Sequence, residues 1–333
     1  MLCPKCVKQI PDGSRFCDQC GLRLEATSRP GTVEDEKEMT ILSFVNFKGG
    51  VGKTATAVNV ASDLAKYHEA KTLLVDLDPQ SNTSMWVMTA EKLKNRMDNE
   101  KTCTVYQLFR DHTLGTHDFD FDEAVVKSPV QNPDGTPLIP NLDLLPATYD
   151  MVKLEHEIAT SDLPDRFSIL EKELQVARRE YKYIVIDCAP NIYWATRNAL
   201  FFSDFYIVPV IPDYLAQSGL QILAQEVRKY LDIVAHHKRN LVKLSGVLMT
   251  RVDKRSVDQR LQKGYIENAL RELKSQGTVD VRARIFATDI RNSIKVQESI
   301  ARFLPLCEYD SNHPVAEDFR LFTDELVRAV GQK

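Results

Sequence analysis

The run Phe44-Val45-Asn46-Phe47-Lys48-Gly49-Gly50-Val51-Gly52-Lys53-Thr54 restricts this chain more than any other stretch. It follows a short apolar segment, Ile41 to Val45, and leads into Ala55 to Lys66, a good helix former. A strand, a glycine-rich turn and a helix start, in that order, make a phosphate cradle. The glycines let backbone N–H groups converge on phosphate oxygens, and the helix start adds its positive end. Lys53 is placed to reach β/γ-phosphates, and the Thr54 hydroxyl to ligate Mg²⁺. Phe47 stands where the usual pattern has its first glycine, and an extra lysine, Lys48, follows it.

The rest of the composition leaves that reading room. At 333 residues, 43% apolar and 27% charged, the chain has the profile of an ordinary globular protein of one or two domains. A net charge of -4 carries no global signal for nucleic acid, although a local basic face is compatible with it. No apolar window is long enough to span a membrane, and the N-terminus lacks the architecture of an export signal. A cytoplasmic protein is therefore expected.

Four of the seven cysteines fall in the first twenty residues, as Cys3-Pro4-Lys5-Cys6 and Cys17-Asp18-Gln19-Cys20. Two such knuckles, joined across a turn at Pro11-Asp12-Gly13, complete a tetrahedral Zn²⁺ site, whereas a redox dithiol needs neither the second pair nor the turn. Metal would supply the stability that so small a module lacks, and four thiolates leave no open position for catalysis. Residues 1–25 resemble the short zinc-ribbon modules at the N-termini of many prokaryotic proteins, and that resemblance implies contact with a protein partner. Residues 26–38, with Ser28, Pro30, Gly31 and the acidic run Glu34-Asp35-Glu36, read as a linker, and 39–333 as the main domain.

From Met39 onward apolar runs recur at Ile41–Val45, Thr72–Leu77, Leu142–Leu145, Tyr183–Asp187, Phe205–Ile211 and Leu244–Thr250. Helical stretches are expected between them, notably Thr54–Lys66, Leu163–Arg179 and Gln217–His236, where Leu220, Leu223, Val227, Leu231 and Val234 are spaced as a core face. Continuous apolar strands alternating with helices predict an α/β fold with a mainly parallel twisted sheet. Chemistry in such sheets lies beyond the carboxyl ends of the strands. Two ends are acidic: Asp76 and Asp78 in Val75-Asp76-Leu77-Asp78-Pro79-Gln80, and Asp187 after Tyr183-Ile184-Val185-Ile186. A carboxylate closing an apolar strand beside a phosphate loop is the usual holder of Mg²⁺, often through water.

These residues together resemble the ParA/MinD family of deviant-Walker ATPases, and the ParA branch in particular. Lys48 to Thr54 matches the deviant phosphate loop, Val75 to Gln80 the first switch, and Tyr183 to Pro190 the acidic strand. Leu142 to Ala147 and Gly246 to Thr250 extend the match. Ser81 stands where the family often has glycine, and Ala189-Pro190-Asn191 replaces a common pair of prolines. The resemblance implies a three-layer P-loop NTPase fold for 39–333 and an ATP-sandwich homodimer that hydrolyses ATP with Mg²⁺. In that arrangement Lys48 crosses to the partner's phosphates, and Asp78 positions or deprotonates the attacking water. Gly49, Gly50, Val51, Gly52, Lys53, Thr54 and Ala55 hold the phosphates, while Thr54, Asp76 and Asp187 order the magnesium shell. Pro212, Asp213 and Arg251 are candidates near the nucleobase.

Between Arg251 and Arg302 twelve Lys and Arg face seven Asp and Glu. Such an excess on one face attracts phosphate backbones without reading sequence. The resemblance adds non-specific DNA binding in this region, with Arg255, Arg282, Arg284, Arg291 and Lys295 as candidates. It also implies a ParB-like or other adaptor that stimulates hydrolysis, and association with the nucleoid. An alternative is a nucleotide-gated interaction platform that uses the ribbon and binds no DNA. A metabolic P-loop enzyme is a third reading, but Cys103, Cys188 and Cys307 lack the spacing of a shared cluster. Residues 84–140 are poorly readable, and His112 and His117 are expected to be solvated loop residues.

Overall fold

A computed structural model describes residues 8–9, 39–99, 104–238 and 240–331. The four ribbon cysteines, Cys103 and the linker lie outside the described residues. Chain contacts separate Met1–Lys37 from Glu38–Lys333, and the account below concerns the second unit.

Eight strands form one sheet: β1 (Thr40–Phe44), β2 (Thr72–Asp76), β3 (Val126–Lys127), β4 (Leu142–Leu145), β5 (Tyr183–Asp187), β6 (Phe205–Val210), β7 (Lys243–Met249) and β8 (Arg284–Ile285). Their order is β3-β4-β2-β5-β1-β6-β7-β8, parallel throughout except for β3, which pairs antiparallel at one edge. The six expected strands are present. The two edge strands, each of two residues, are too short to leave a periodic signal.

Thirteen α-helices are described: α1 (Lys53–Lys66), α2 (Asn82–Val87), α3 (Ala90–Asn99), α4 (Val105–Leu114), α5 (Phe121–Ala124), α6 (Met151–Thr160), α7 (Ile169–Leu174), α8 (Trp194–Phe202), α9 (Ala216–Val234), α10 (Val257–Ser275), α11 (Lys295–Ala301), α12 (Leu306–Tyr309) and α13 (Pro314–Val330). The two-residue period of the strands divides their side chains between two cores. Ile41, Leu73, Val75, Ile184 and Ile186 pack with α4, α6, α7, α8 and α9. Leu42, Phe44, Leu74 and Val185 pack with α1, α2 and α13 on the other face. Sheet strands buried on both sides have no polar face to alternate, which is why they read as unbroken apolar runs. The result is the three-layer P-loop architecture.

Two expectations are corrected. The helix expected over Leu163–Arg179 is only α7 followed by a 3-10 turn at Gln175–Arg179. Asn198 of α8 takes the backbone there: its Oδ1 accepts from Leu170 N at 3.1 Å, and its Nδ2 donates to Arg166 O at 2.8 Å, replacing a helical ladder. His112 lies on α4 rather than in a loop and pairs with Glu173 at 2.8 Å.

Gly246 sets the spacing at the β7 edge. It sits in register with Arg284 of β8, and a Cβ there would lie 2.5 Å from the Arg284 carbonyl oxygen and 2.8 Å from the Phe286 ring. Only a residue without a side chain lets β8 approach.

The C-terminal helix closes the α1 side of the sheet. Asp318 of α13 accepts three hydrogen bonds from Arg291, and Glu325 accepts from the N–H groups of Ala287 and Thr288. Thr323, also on α13, touches Asp63 of α1. Asp63 is buried, and its Oδ2 has no hydrogen-bond partner among the described residues. Burial pushes its carboxyl up to about 8, against the opposing pull of Arg320 and Lys66. An unfolded aspartate titrates near 3.8, so the Asp63 proton adds stability that is complete below that value and is lost as pH rises through about 8. The thermal midpoint of the wild-type chain should therefore fall across this window, and Asp63→Asn should flatten the profile. Thermal melts in a pH series check the difference.

Candidate functional site

The cradle occupies the turn between β1 and α1. Asn46 fixes its entry: the buried amide donates from Nδ2 to Pro209 O at 2.7 Å, and its Oδ1 accepts from Lys48 N at 2.9 Å. Gly52 caps α1 in the left-handed region, at φ 85°, where a side chain is strained. Thr250, at the end of β7, closes the turn from below by donating to Val51 O at 2.7 Å. A Cβ built on Gly49 or Gly50 meets nothing within 4 Å, so the cradle opens outward.

Lys53 and Lys48 have opposite placements. Lys53 is buried and crosses the cradle to donate to Lys48 O at 3.2 Å. Burial lowers its pKa, and the nearby Asp187 and Asp78 carboxylates oppose that shift. Lys48 points out at the rim, with 44% of its side chain exposed, and forms an ion pair with Asp213. The expected nucleobase candidates gather at the same end: Pro212 is buried, and Arg251 donates to Gly50 O at 3.2 Å. Next to Arg251, residues Val252, Asp253, Lys254, Arg255, Arg291 and Asn292 line a cavity of about 310 Å³.

Below the cradle, Asp76 and Asp187 stand side by side on β2 and β5, in register. Their hydrogen bonds assign them different work. Asp76 Oδ2 accepts from Ser84 N at 2.9 Å and Ser84 Oγ at 2.7 Å, while Oδ1 accepts from Asp78 N at 3.1 Å. Both oxygens are thus spent on fastening α2 and the turn before it. Burial first, then Asp187, pushes the Asp76 carboxyl up to about 8. Asp76, expected to help order a magnesium shell, thus lies beside Asp187 with its oxygens bonded to the α2 turn. Asp187 Oδ2 accepts from Thr54 Oγ1 and from Thr83 Oγ1, each at 2.7 Å, and its Oδ1 is buried with no partner among the described residues. Its carboxyl is raised to about 6, chiefly by burial. An orphaned carboxylate oxygen beside a threonine hydroxyl is a hard-oxygen donor set that fits Mg²⁺. Asp78 is buried too, and its Oδ1 accepts from Gln80 N at 2.9 Å.

Sequence reasoning passed over Asn46, Thr83 and Ser84, and it named Thr250 only as part of a matching segment. The cluster Ser81-Asn82-Thr83-Ser84 just after the acidic strand end was the available signal, since hydroxyls at a turn seek carboxylates. Cys188 is buried core as expected, and Cys307 is buried as well.

The DNA candidates fare unevenly. Arg291 is bound to Asp318 through two guanidinium nitrogens at 2.6 and 2.7 Å, so its fork is already occupied. Arg255 pairs with Asp253, Arg282 with Asp280 and Lys295 with Glu298. Arg284 is half-buried beside Gly246. Four of the five candidates are thus ion-paired, although of their acidic partners only Asp318 lies outside the twelve-against-seven count.

The comparisons with known proteins agree with this geometry. A family model described as an AAA domain matches residues 39–242, and a zinc-ribbon model matches 2–24. The chain is 30% identical over 292 residues to the chromosome-partitioning ATPase Soj of Treponema pallidum, covering 88% of this chain and 98% of that one. It is 31% identical over 277 residues to the sporulation initiation inhibitor protein Soj of Bacillus subtilis, covering 83% and 94%. Among solved structures, a Cyanothece McdA–ATP complex shares the fold at TM-score 0.66 and 18% identity, over 88% of this chain and 97% of that one.

Removing the charge of Asp187 separates its two burdens. Asp187→Asn should raise the thermal midpoint of the metal-free protein, because burial of the charge outweighs the nearby Lys53. The same change should cancel most of the extra stabilisation that Mg²⁺ adds to a bound nucleotide. Thermal-shift titrations with nucleotide, with and without Mg²⁺, read both effects.

Proposed function

The chain belongs to the ParA/Soj family of partitioning ATPases, and on that premise we propose that it is an ATP-hydrolysing switch whose active form is a dimer closed over two nucleotides. The position of Lys48 carries this reading. A lysine exposed at the rim, with its own cradle already filled by Lys53, is placed to serve a nucleotide other than its own. The surrounding surface supports it. Tyr193, Tyr214, Leu215, Val257 and Ile294 are exposed large apolar side chains, and all follow the carboxyl ends of strands, on the same edge of the sheet as the cradle. Apolar surface gathered around a polar centre suits a protein partner, and here a second copy.

In this reading Lys53 and the backbone from Gly49 to Ala55 bind the phosphates, and Thr54 and Asp187 hold Mg²⁺. Magnesium neutralises charge on the phosphate oxygens when bound. Asp78 orients the attacking water and takes its proton, held in place by Asp76, Gln80 and the α2 turn. Pro212, Asp213 and Arg251 border the base. Hydrolysis in such a site is positioning and charge stabilisation, so it is slow until an adaptor of the ParB kind completes the arrangement. If the nucleotide contacts are made only in the dimer, ATP shifts the population towards it.

The dimer would bind duplex DNA non-specifically and release it on hydrolysis, serving segregation of DNA or positioning of a cargo on the nucleoid. Arg255 and Arg284 are better placed for this than Arg291, which Asp318 occupies. The same ion pairing favours a second reading, a nucleotide-gated platform without DNA binding, in which the ribbon recruits a protein. An ATP-dependent gel shift on random duplex at two salt concentrations decides between them. Wild-type protein should retard DNA only with ATP, more weakly at high salt, while Lys48→Gln should lose both the shift and the ATP-induced doubling of mass by light scattering. No shift at low salt would favour the platform, and unchanged dimerisation of Lys48→Gln would remove the cross-subunit role. For the ribbon, Cys3, Cys6, Cys17 and Cys20 should hold one Zn²⁺ per chain. Elemental analysis should show that zinc in the purified protein and its loss in the Cys3→Ser/Cys6→Ser variant.

A further inference from the structure

Thr83 is a fully buried residue of the switch helix α2, and the reading above gives it no task. Its hydroxyl donates to Asp187 Oδ2 at 2.7 Å, and the same oxygen accepts from Thr54 Oγ1, also at 2.7 Å. Each threonine is the second residue of its helix, Thr83 in α2 and Thr54 in α1. Two helices thus bring a hydroxyl to one oxygen of the carboxylate that closes β5. That carboxylate lies at the cradle: Thr54 bonds it, and its charge acts on Lys53.

The bond serves Asp187 more than it serves α2. The helix is fastened without Thr83: Ser84 donates twice to Asp76 Oδ2, through its N–H at 2.9 Å and its Oγ at 2.7 Å. Further along, Trp86 Nε1 donates to Leu304 O at 3.0 Å. Asp187 has less to hold its side chain. Its Oδ1 has no partner among the described residues, so the orientation of the carboxylate rests on Thr54 and Thr83. With Thr54 alone the carboxylate pivots about a single contact, and a second donor on the same oxygen fixes its plane. The effect extends to Thr54. A threonine hydroxyl has one proton, and committing that proton to Asp187 leaves the lone pairs of Oγ1 for a cation. Thr83 therefore sets the carboxylate, and the carboxylate sets Thr54.

We propose that Thr83 is a positioning residue for the cation site: its hydroxyl orients Asp187, and through it Thr54, for the Mg²⁺ that accompanies a bound nucleotide. This rests on the reading above in which Thr54 and Asp187 hold that ion. Mg²⁺ demands nearly ideal octahedral geometry, and groups that orient its ligands are worth about ten- to a hundredfold in metal affinity. Thr83 follows Asp78 in the same switch, so the grip on the cation depends on α2 being seated against β5. Metal affinity and the position of the switch helix are thereby joined through one hydroxyl.

The test is calorimetric titration of wild type, Thr83→Val, Thr83→Ala and Thr83→Ser with a non-hydrolysable ATP analogue, in excess Mg²⁺ and in EDTA. The ratio of the two dissociation constants is what Mg²⁺ adds to binding. Thr83→Val keeps the branched shape and loses the hydroxyl; its ratio should fall about tenfold while affinity in EDTA stays within about twofold of wild type. Thr83→Ala should show the same fall, and it carries the test if the valine variant does not fold. Thr83→Ser keeps the hydroxyl and should hold the ratio within about twofold of wild type. An unchanged ratio in the valine and alanine variants overturns the proposal. So does an equal loss with and without Mg²⁺, which marks a structural role, or a serine variant that falls as far as alanine, which assigns the effect to the methyl group. Wild type that binds no analogue removes the nucleotide reading and this proposal with it, and wild type indifferent to Mg²⁺ removes the cation reading likewise. Wild type that responds to Mg²⁺, with all variants unchanged, overturns the Thr83 assignment alone.

Discussion

The site turns on one carboxylate. Asp187 ends the central strand β5 and accepts hydroxyls from two helices: Thr54 at the start of the cradle helix and Thr83 in the short helix after the acidic switch. Because it is fully buried, these bonds are strong and the geometry has little slack. The remaining oxygen has no partner among the described residues, a cost that a purely structural aspartate would avoid. Cradle, switch and sheet are thus assembled around one carboxylate, the group that takes the cation in the proposed function. Asp76, its neighbour in register, differs in its contacts: both its oxygens accept hydrogen bonds, from Asp78 N and from Ser84, which tie it to the switch helix.

The strands and the cradle were legible because both announce themselves locally. Ile41 to Val45 and Tyr183 to Asp187 are apolar runs that only a doubly covered sheet explains, and a glycine turn before a helix has few other uses. The acidic strand ends were legible by position. What escaped reading depends on partners distant in sequence. The helix expected over Leu163–Arg179 is cut short by Asn198, a residue on another helix whose amide competes for the backbone. Thr83 and Thr250 become site residues only once β5 and the loop at Val51 arrive beside them. Gly246 reads as an ordinary strand glycine until β8 is laid against it. Charge counting could not show which of the Lys and Arg after Arg251 are engaged: Asp253, Asp280, Glu298 and Asp318 pair with four of the five candidates.

The two lysines of the cradle show how one loop can face two ways. Lys53 is desolvated and committed inward, at a cost that its acidic neighbours offset. Lys48, five residues earlier, is solvated and held by a carboxylate at the rim. An exposed pair of this kind is worth little, about 1 kcal/mol or less, so Asp213 restrains Lys48 without storing it away. A residue whose resting contact is that weak is free to move when a better anion is presented.

The long C-terminal helix has a consequence for how the molecule is made. It holds α1 through Thr323 and Asp63, and it holds the loop after β8 through Asp318 and Glu325. Close to it, Lys66 at the foot of the cradle helix donates to Cys307 O, 241 residues further along the chain. During synthesis the phosphate loop therefore leaves the ribosome long before the segments that brace its helix exist. Contacts so distant in sequence form late, because the loop they close must first be gathered. A nascent chain with its cradle translated would still lack a firm seat for α1, and nucleotide competence should appear only as the last helix docks.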